Sequence, residues 1–217
     1  MADYWSSPAS EEFYVNLSHR YETLFLAYHS GIVEETVAAL EAAGGGFTEL
    51  IEIGSGDGKI LGHFARRMEG LAGLHGIDLN PEQTAANRGI YASDPRMNFH
   101  LGDAREWIPA NIRPGTAVIA NGGVLEYFTR PELQELFSEI GYRTPSVIAI
   151  TESIAADHDL KRESDTFPYG LELSLSHNYL SLLHDAGYEI AYVNDRHTTP
   201  QESEIVGRWL QVVAFRK

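Results

Sequence analysis

The chain has 217 residues, 43% of them hydrophobic and 22% charged, a globular balance that excludes a wholly disordered chain. Its 31 acidic residues outnumber its 16 basic ones, for a net charge of −15; phosphate backbones are gripped by clustered Lys and Arg, so the balance argues against nucleic acid as a partner. The absence of cysteine excludes disulfides, zinc–thiolate sites and cysteine nucleophiles, and without a membrane-length apolar run or a leader pattern the chain reads as a soluble cytoplasmic protein.

Taken in chain order, the N-terminal part reads as two helices. Ser7-Pro8 has the form of a helix start, and Phe13, Leu17, Tyr21, Leu24 and Tyr28 recur at helical spacing. A stripe of this kind, if exposed, would suit a homodimer contact. Ile32, Val33, Val37 and Leu40 mark a second helix, ended by Gly44-Gly45-Gly46. Residues 1–46 are therefore expected to form a helical lid, and residues 47–217 the main domain.

From Thr48 the chain alternates. Strands are expected at Thr48–Ile53, Leu74–Ile77, Met97–Leu101, Thr116–Ala120 and Ser146–Thr151. Helices are expected over Gly58–Met68, from the Asn80-Pro81 cap, and from the Thr129-Arg130-Pro131-Glu132 capping box to about Tyr142. That rhythm means a parallel sheet covered on both faces. Residues 152–175 break it and are expected to be a functional loop lining an acceptor pocket. A helix over Ser176–Ala186 follows, then strands Tyr188–Val193 and Arg208–Arg216. Their linker is too short for a crossover helix, so they are expected to pair antiparallel.

The sharpest motif is Glu52-Ile53-Gly54-Ser55-Gly56-Asp57-Gly58, between a strand and a helix. Alternate glycines allow a tight turn and close backbone approach to a ligand, and the helix start behind them offers free N–H groups. A P-loop is excluded because Ile53 and Ile60 occupy its first Gly and Ser/Thr positions, and a dinucleotide fingerprint because Lys59 holds its third Gly position. Three further segments follow strand ends: Gly76-Ile77-Asp78-Leu79-Asn80, His100-Leu101-Gly102-Asp103-Ala104, and Ala120-Asn121-Gly122-Gly123-Val124-Leu125-Glu126-Tyr127-Phe128. Asp78 stands where a carboxylate can accept both hydroxyls of a ribose.

These motifs together resemble the class I S-adenosylmethionine (SAM)-dependent methyltransferases of small molecules, over Thr48–Lys217. The resemblance implies a doubly wound α/β fold, a seven-stranded, mostly parallel sheet with one antiparallel strand near the C-terminus, the Rossmann-like methyltransferase architecture. It implies SAM as cofactor and S-adenosylhomocysteine (SAH) as product. Glu52, Gly54, Ser55, Gly56 and Gly58 would wrap the methionine part, Asp78 and Leu79 the ribose, and Asp103 and Ala104 the adenine. The backbone near Asn121 would hold the amino group. Leu182-Leu183-His184-Asp185-Ala186-Gly187-Tyr188 matches the family's helix-to-strand step. One departure stands out: many relatives carry His where this chain has Tyr127, so no imidazole base comes from that position.

Sulfonium methyl transfer needs in-line alignment and exclusion of water; a base helps when the acceptor is a hydroxyl or an activated carbon. The catalytic candidates are Glu152, at a strand end, Tyr127 and His158. Candidates for acceptor or cofactor contact on the helices and beside the insertion are Tyr14, Tyr21, His29 and His177. The acidic surface points to a small cationic or neutral acceptor, with transfer to O, N or C. Alternatives are methylation of a protein or peptide side chain, and SAM binding without transfer. An oxygen site for Mg²⁺ at Asp103, Asn121 and Glu126 fits less well, because Asp103 is better used at adenine, and no metal is expected.

Overall fold

Apolar residues on the central strands point to both faces, as a sheet buried on two sides requires. The computed structural model describes residues 5, 16–170, 174–200 and 207–217. Ser7-Pro8, Phe13 and Tyr14 lie outside the described residues. Strands β1 (Glu49–Ile53), β2 (Gly73–Asp78), β3 (Met97–Leu101), β4 (Thr116–Asn121) and β5 (Ser146–Ile154) run parallel. Strands β8 (Glu189–His197) and β9 (Arg208–Arg216) complete a seven-stranded sheet ordered β3-β2-β1-β4-β5-β9-β8. β9 is antiparallel to both neighbours, as expected. The order reverses between β1 and β4, the crevice where open α/β sheets bind ligands.

One face is covered by α2 (Ile32–Ala42) and α3 (Lys59–Arg67), whose Ile32, Val33, Leu61 and Phe64 pack with Leu50 of β1 and Val213 of β9. The other carries α5 (Ala104–Asn111), α6 (Arg130–Gly141) and α7 (Tyr179–Asp185); Ile108, Phe137 and Leu182 meet Ile51, Ile148 and Val212 there. Each fully buried side chain of this size contributes about 1.5–3 kcal/mol of transfer free energy. α4 (Pro81–Ile90) follows β2, and the Asn80 side chain caps it by accepting from Gln83 N at 2.9 Å. At α6 the expected capping box is present: Thr129 N donates to Glu132 Oε2 at 2.7 Å. Among the described residues no helix is long and apolar enough to cross a membrane.

Several expectations are corrected. The 1–46 segment divides: α2 is a covering helix of the sheet itself, whereas α1 (Leu17–Arg20) and the π-wound turn that continues it (Tyr21–His29) lie over the strand ends. Along the stripe of that helix Leu24 is buried and Leu17, Tyr21 and Tyr28 are half-buried. Residues 152–175 are not an open loop: β5 runs on to Ile154, and β6 (Phe167–Tyr169) pairs with β7 (Ser174–Ser176) as a hairpin. The helix expected from Ser176 begins at Tyr179, because Ser176 pairs with Phe167 and Asn178 supplies the cap. Helix α5 was absent from the sequence reading.

Candidate functional site

The glycine loop is built as the motif requires. Gly54, Gly56 and Gly58 have φ of +67°, +47° and +72°, the left-handed region that L side chains rarely adopt. Space confirms the need: a Cβ on Gly54 would stand 2.6 Å from Val124 Cγ2. The loop is pinned to β2, where Gly54 N and Ser55 N both donate to the Ile77 carbonyl. Asp78 receives Gly56 N at 2.8 Å on one carboxylate oxygen and Asn80 N at 2.9 Å on the other.

Above the loop lies a cavity of about 520 Å³, floored by the ends of β1, β2, β3 and β4 and roofed by the helix over residues 17–29. Leu17 packs on Gly56, Ser18 Oγ donates to Asp57 Oδ2 at 3.2 Å, and Arg20 donates to the Gly122 carbonyl at 3.3 Å. Tyr21 Oη and His63 Nδ1 are 3.1 Å apart.

The cavity wall brings together most of the expected cofactor residues. Glu52, Gly54, Ser55 and Gly56 come from the first loop, Asp78 and Leu79 from the second, Asp103 and Ala104 from the third, and Asn121 from β4. Gly58 stands behind the wall, its Cα against Phe99 and Tyr91. Glu52 Oε2, Ser55 Oγ and both amide atoms of Asn121 are buried with no hydrogen-bond partner. Buried polar groups are normally satisfied, so this cluster is made for a polar ligand. Burial first, then Asp57 and Asp78, pushes the Glu52 carboxyl well above the usual carboxylate range. A cationic ligand beside it would restore its charge. These residues therefore fit SAM, whose ammonium and ribose hydroxyls supply the missing partners.

Asp103 caps α5, and its carboxylate is gripped by Arg105, whose side-chain hydrogen bonds hold it below the usual range. Arg105 also binds Glu132 and lies over the Phe128 ring. Asp103, expected at the adenine, thus belongs to an ion network. Arg105, Arg20 and Phe25 were not singled out; of the three, only Arg105, two residues after Asp103, carries a local signal that could have found it.

The acceptor-side candidates separate. Tyr21, His29 and Tyr127 line the cavity. Burial first, then Arg196, lowers His29 to about 4, so its ring is neutral near pH 7. Glu152 does not face the cavity. Its buried carboxylate accepts Val124 N at 3.0 Å and Leu125 N at 2.9 Å, holding the segment after β4 from behind. His158 is buried away from the cavity, bonded to Ser176 Oγ at 2.8 Å, and His177 packs with Thr166 Oγ1 at 2.8 Å. A catalytic part for Glu152 or His158, and acceptor contact by His177, are therefore corrected to packing and positioning. No described residue of 152–175 is in the cavity wall. That segment acts from outside it, where Ser153 Oγ and Tyr169 Oη both bond Glu126 Oε2. Among the described residues no group of three His, Cys, Asp or Glu side chains gathers as a metal site would.

Residues 50–143, from β1 to the end of α6, match the family model described as a methyltransferase domain. The match covers the stretch that carries β1 to β4 and the cofactor cradle, so this part of the chain is similar to a methyltransferase domain, and the cradle and sheet order agree with SAM as the ligand. Among solved structures the chain is similar to the magnesium protoporphyrin IX methyltransferase of Synechocystis PCC 6803 with bound SAH (17% identity, TM-score 0.65, 100% of this chain and 98% of that one). A SAM-dependent methyltransferase of Clostridium acetobutylicum ATCC 824 (11% identity, TM-score 0.63, 94% and 99%) is also similar. So is the [4+2]-cyclase SpnF (18% identity, TM-score 0.62, 86% and 78%). No match was found among curated proteins.

Proposed function

We propose that this chain transfers the methyl group of SAM to an O, N or C atom of a small metabolite. The observation that carries the reading is the roof: the helix over residues 17–29 is pinned across the strand-end cavity through Leu17, Ser18, Arg20 and Tyr21. A helix laid across a strand-end cavity of about 520 Å³ supports a small acceptor beside the cofactor more than an extended polypeptide. When bound, SAM supplies a methyl group already activated on a positively charged sulfur. The chain's part is to orient and to exclude water. Asp78 would hold the ribose, and Asn121 with Glu52 the methionine end. The roof would keep water from the reacting atoms.

Calorimetric titration of SAH into wild-type protein and into Asp78→Ala tests it. Wild type is expected to bind near micromolar and the variant about tenfold or more weakly, through lost hydrogen bonds to a charged group. A folded wild-type protein that ignores both SAH and SAM would refute the reading.

A further inference from the structure

The cavity end beside β3 is built around Arg105. The orphaned polar atoms of Glu52, Ser55 and Asn121 would take the charged amino-acid end of SAM over β1 and β4, and Asp78 its ribose at the end of β2. In the order β3-β2-β1-β4 the next step outward is β3. The purine therefore falls on the loop after β3, which contributes Gly102, Asp103, Ala104 and Arg105 to the wall.

A carboxylate beside a purine reads its 6-amino group only with an acceptor site to spare, and a carboxylate has about four such sites. Arg105 fills those of Asp103. Oδ1 accepts Arg105 N at 2.9 Å and Arg105 Nε at 2.9 Å, and Oδ2 accepts Nε at 3.0 Å together with Nη2. Glu132 is committed as well. Its Oε2 accepts Thr129 N at 2.7 Å and Thr129 Oγ1 at 2.8 Å, and its Oε1 accepts Arg105 Nη1.

Arg105 is left as the donor of this end. A guanidinium carries five N–H groups, and one on Nη1 and one on Nη2 find no acceptor among the described residues. Its Cζ lies 5.8 Å from the centroid of the Phe128 ring, which is also in the wall. Flat guanidinium and phenyl surfaces stack on a base whatever its 6-substituent. The free donors suit a purine ring nitrogen, and they suit a 6-oxo oxygen equally.

Resting on the SAM reading, we propose that Arg105, and not Asp103, meets the purine, so that the site does not select the 6-amino group and takes the 6-oxo form of the cofactor as well. Asp103 is a positioning residue: it holds the guanidinium fork in the wall, with Glu132 as the second anchor across the gap between α5 and α6. The expectation that Asp103 reads adenine is thereby replaced.

The test is calorimetric titration of the full chain with SAH and with S-inosylhomocysteine, which has oxygen in place of the 6-amino group. Wild type is expected to bind S-inosylhomocysteine no more than about threefold more weakly than SAH, because the amino group gains no hydrogen bond to a charged acceptor. Arg105→Met removes the fork and keeps the backbone N–H that Asp103 caps. Asp103 then regains acceptor sites, and SAH should be preferred by about tenfold or more. A merely structural loss weakens both ligands alike, so the ratio of the two affinities separates recognition from packing. Arg105→Lys keeps the charge without the fork and should move the ratio the same way; it supplies the reading if Arg105→Met does not fold. A wild-type preference for SAH of about tenfold or more, or a ratio that a folded variant leaves unmoved, would overturn the proposal. Wild type that binds neither compound would instead remove the SAM reading beneath it.

Discussion

His177 gives the sharpest stability prediction. Its side chain is wholly buried between the β6–β7 hairpin and α7, with Nδ1 2.8 Å from Thr166 Oγ1. Burial first, with Arg130 and His158 adding and the Phe128 carbonyl opposing, lowers it from 6.5 to about 4. The unfolded chain therefore takes up a proton at His177 where the folded chain refuses it. Stability is fully present above about pH 6.5 and is lost as pH falls toward 4. The whole shift is worth about 3 kcal/mol. Between pH 7 and pH 5.5 about 1 kcal/mol of it is lost, and stopping there keeps the protein clear of its isoelectric point near 4.9. His177→Phe keeps a ring and removes the titration. Urea unfolding of both proteins at both pH values gives the double difference. Wild type should lose about 1 kcal/mol more than the variant on acidification. Glu52 and Glu152, both raised by burial, change stability in the opposite sense, but they are present in both proteins and cancel. Equal losses would mean that the imidazole is hydrated or charged, and that its burial does not have the consequence argued.

Gly54→Ala should cost about 2–3 kcal/mol, from the left-handed φ together with the clash against Val124, and weaken SAH at least tenfold. Adding Val124→Ala should recover the clash part but not the backbone part, as read by urea unfolding and SAH calorimetry. Glu152→Ala strands the half-buried Val124 N–H and the buried Leu125 N–H and should cost about 2–3 kcal/mol, whereas Glu152→Gln keeps an acceptor oxygen and should cost under about 1 kcal/mol. Loss of methyl transfer in Glu152→Gln with SAH binding intact would show that the carboxylate acts on the reaction after all.

What was legible in the sequence was what local chemistry controls. β3 and β9 fall on the expected residues because short apolar runs flanked by turn residues have few other conformations. The glycine loop was legible for a stronger reason: positive φ at alternate positions leaves glycine as the ready residue, so the backbone geometry is written in the residue type. Helix α5 escaped because it is one short element interrupted by Pro109, too brief to set up a period. The β6–β7 hairpin escaped because three-residue strands draw their register from pairing rather than from pattern.

The site divides along the same line. Asp78 and Asn121 were legible because their place at a strand end settles where they stand. Glu152 stands at a strand end too, and the inference to catalysis failed there. A strand end says which edge of the sheet a residue occupies, but which groups its side chain meets depends on the segments packed around it. Here the free N–H groups of Val124 and Leu125 draw the carboxylate away from the cavity. His29 is the converse case. Nothing local distinguishes it from the exposed His19 two turns earlier. Its burial and loss of charge come from Trp209 and Arg196 at the far end of the chain, packed against the helix end by the antiparallel insertion of β9 beside β5. The strand that closes the sheet is thus also what turns an ordinary helix histidine into a neutral group facing the cavity.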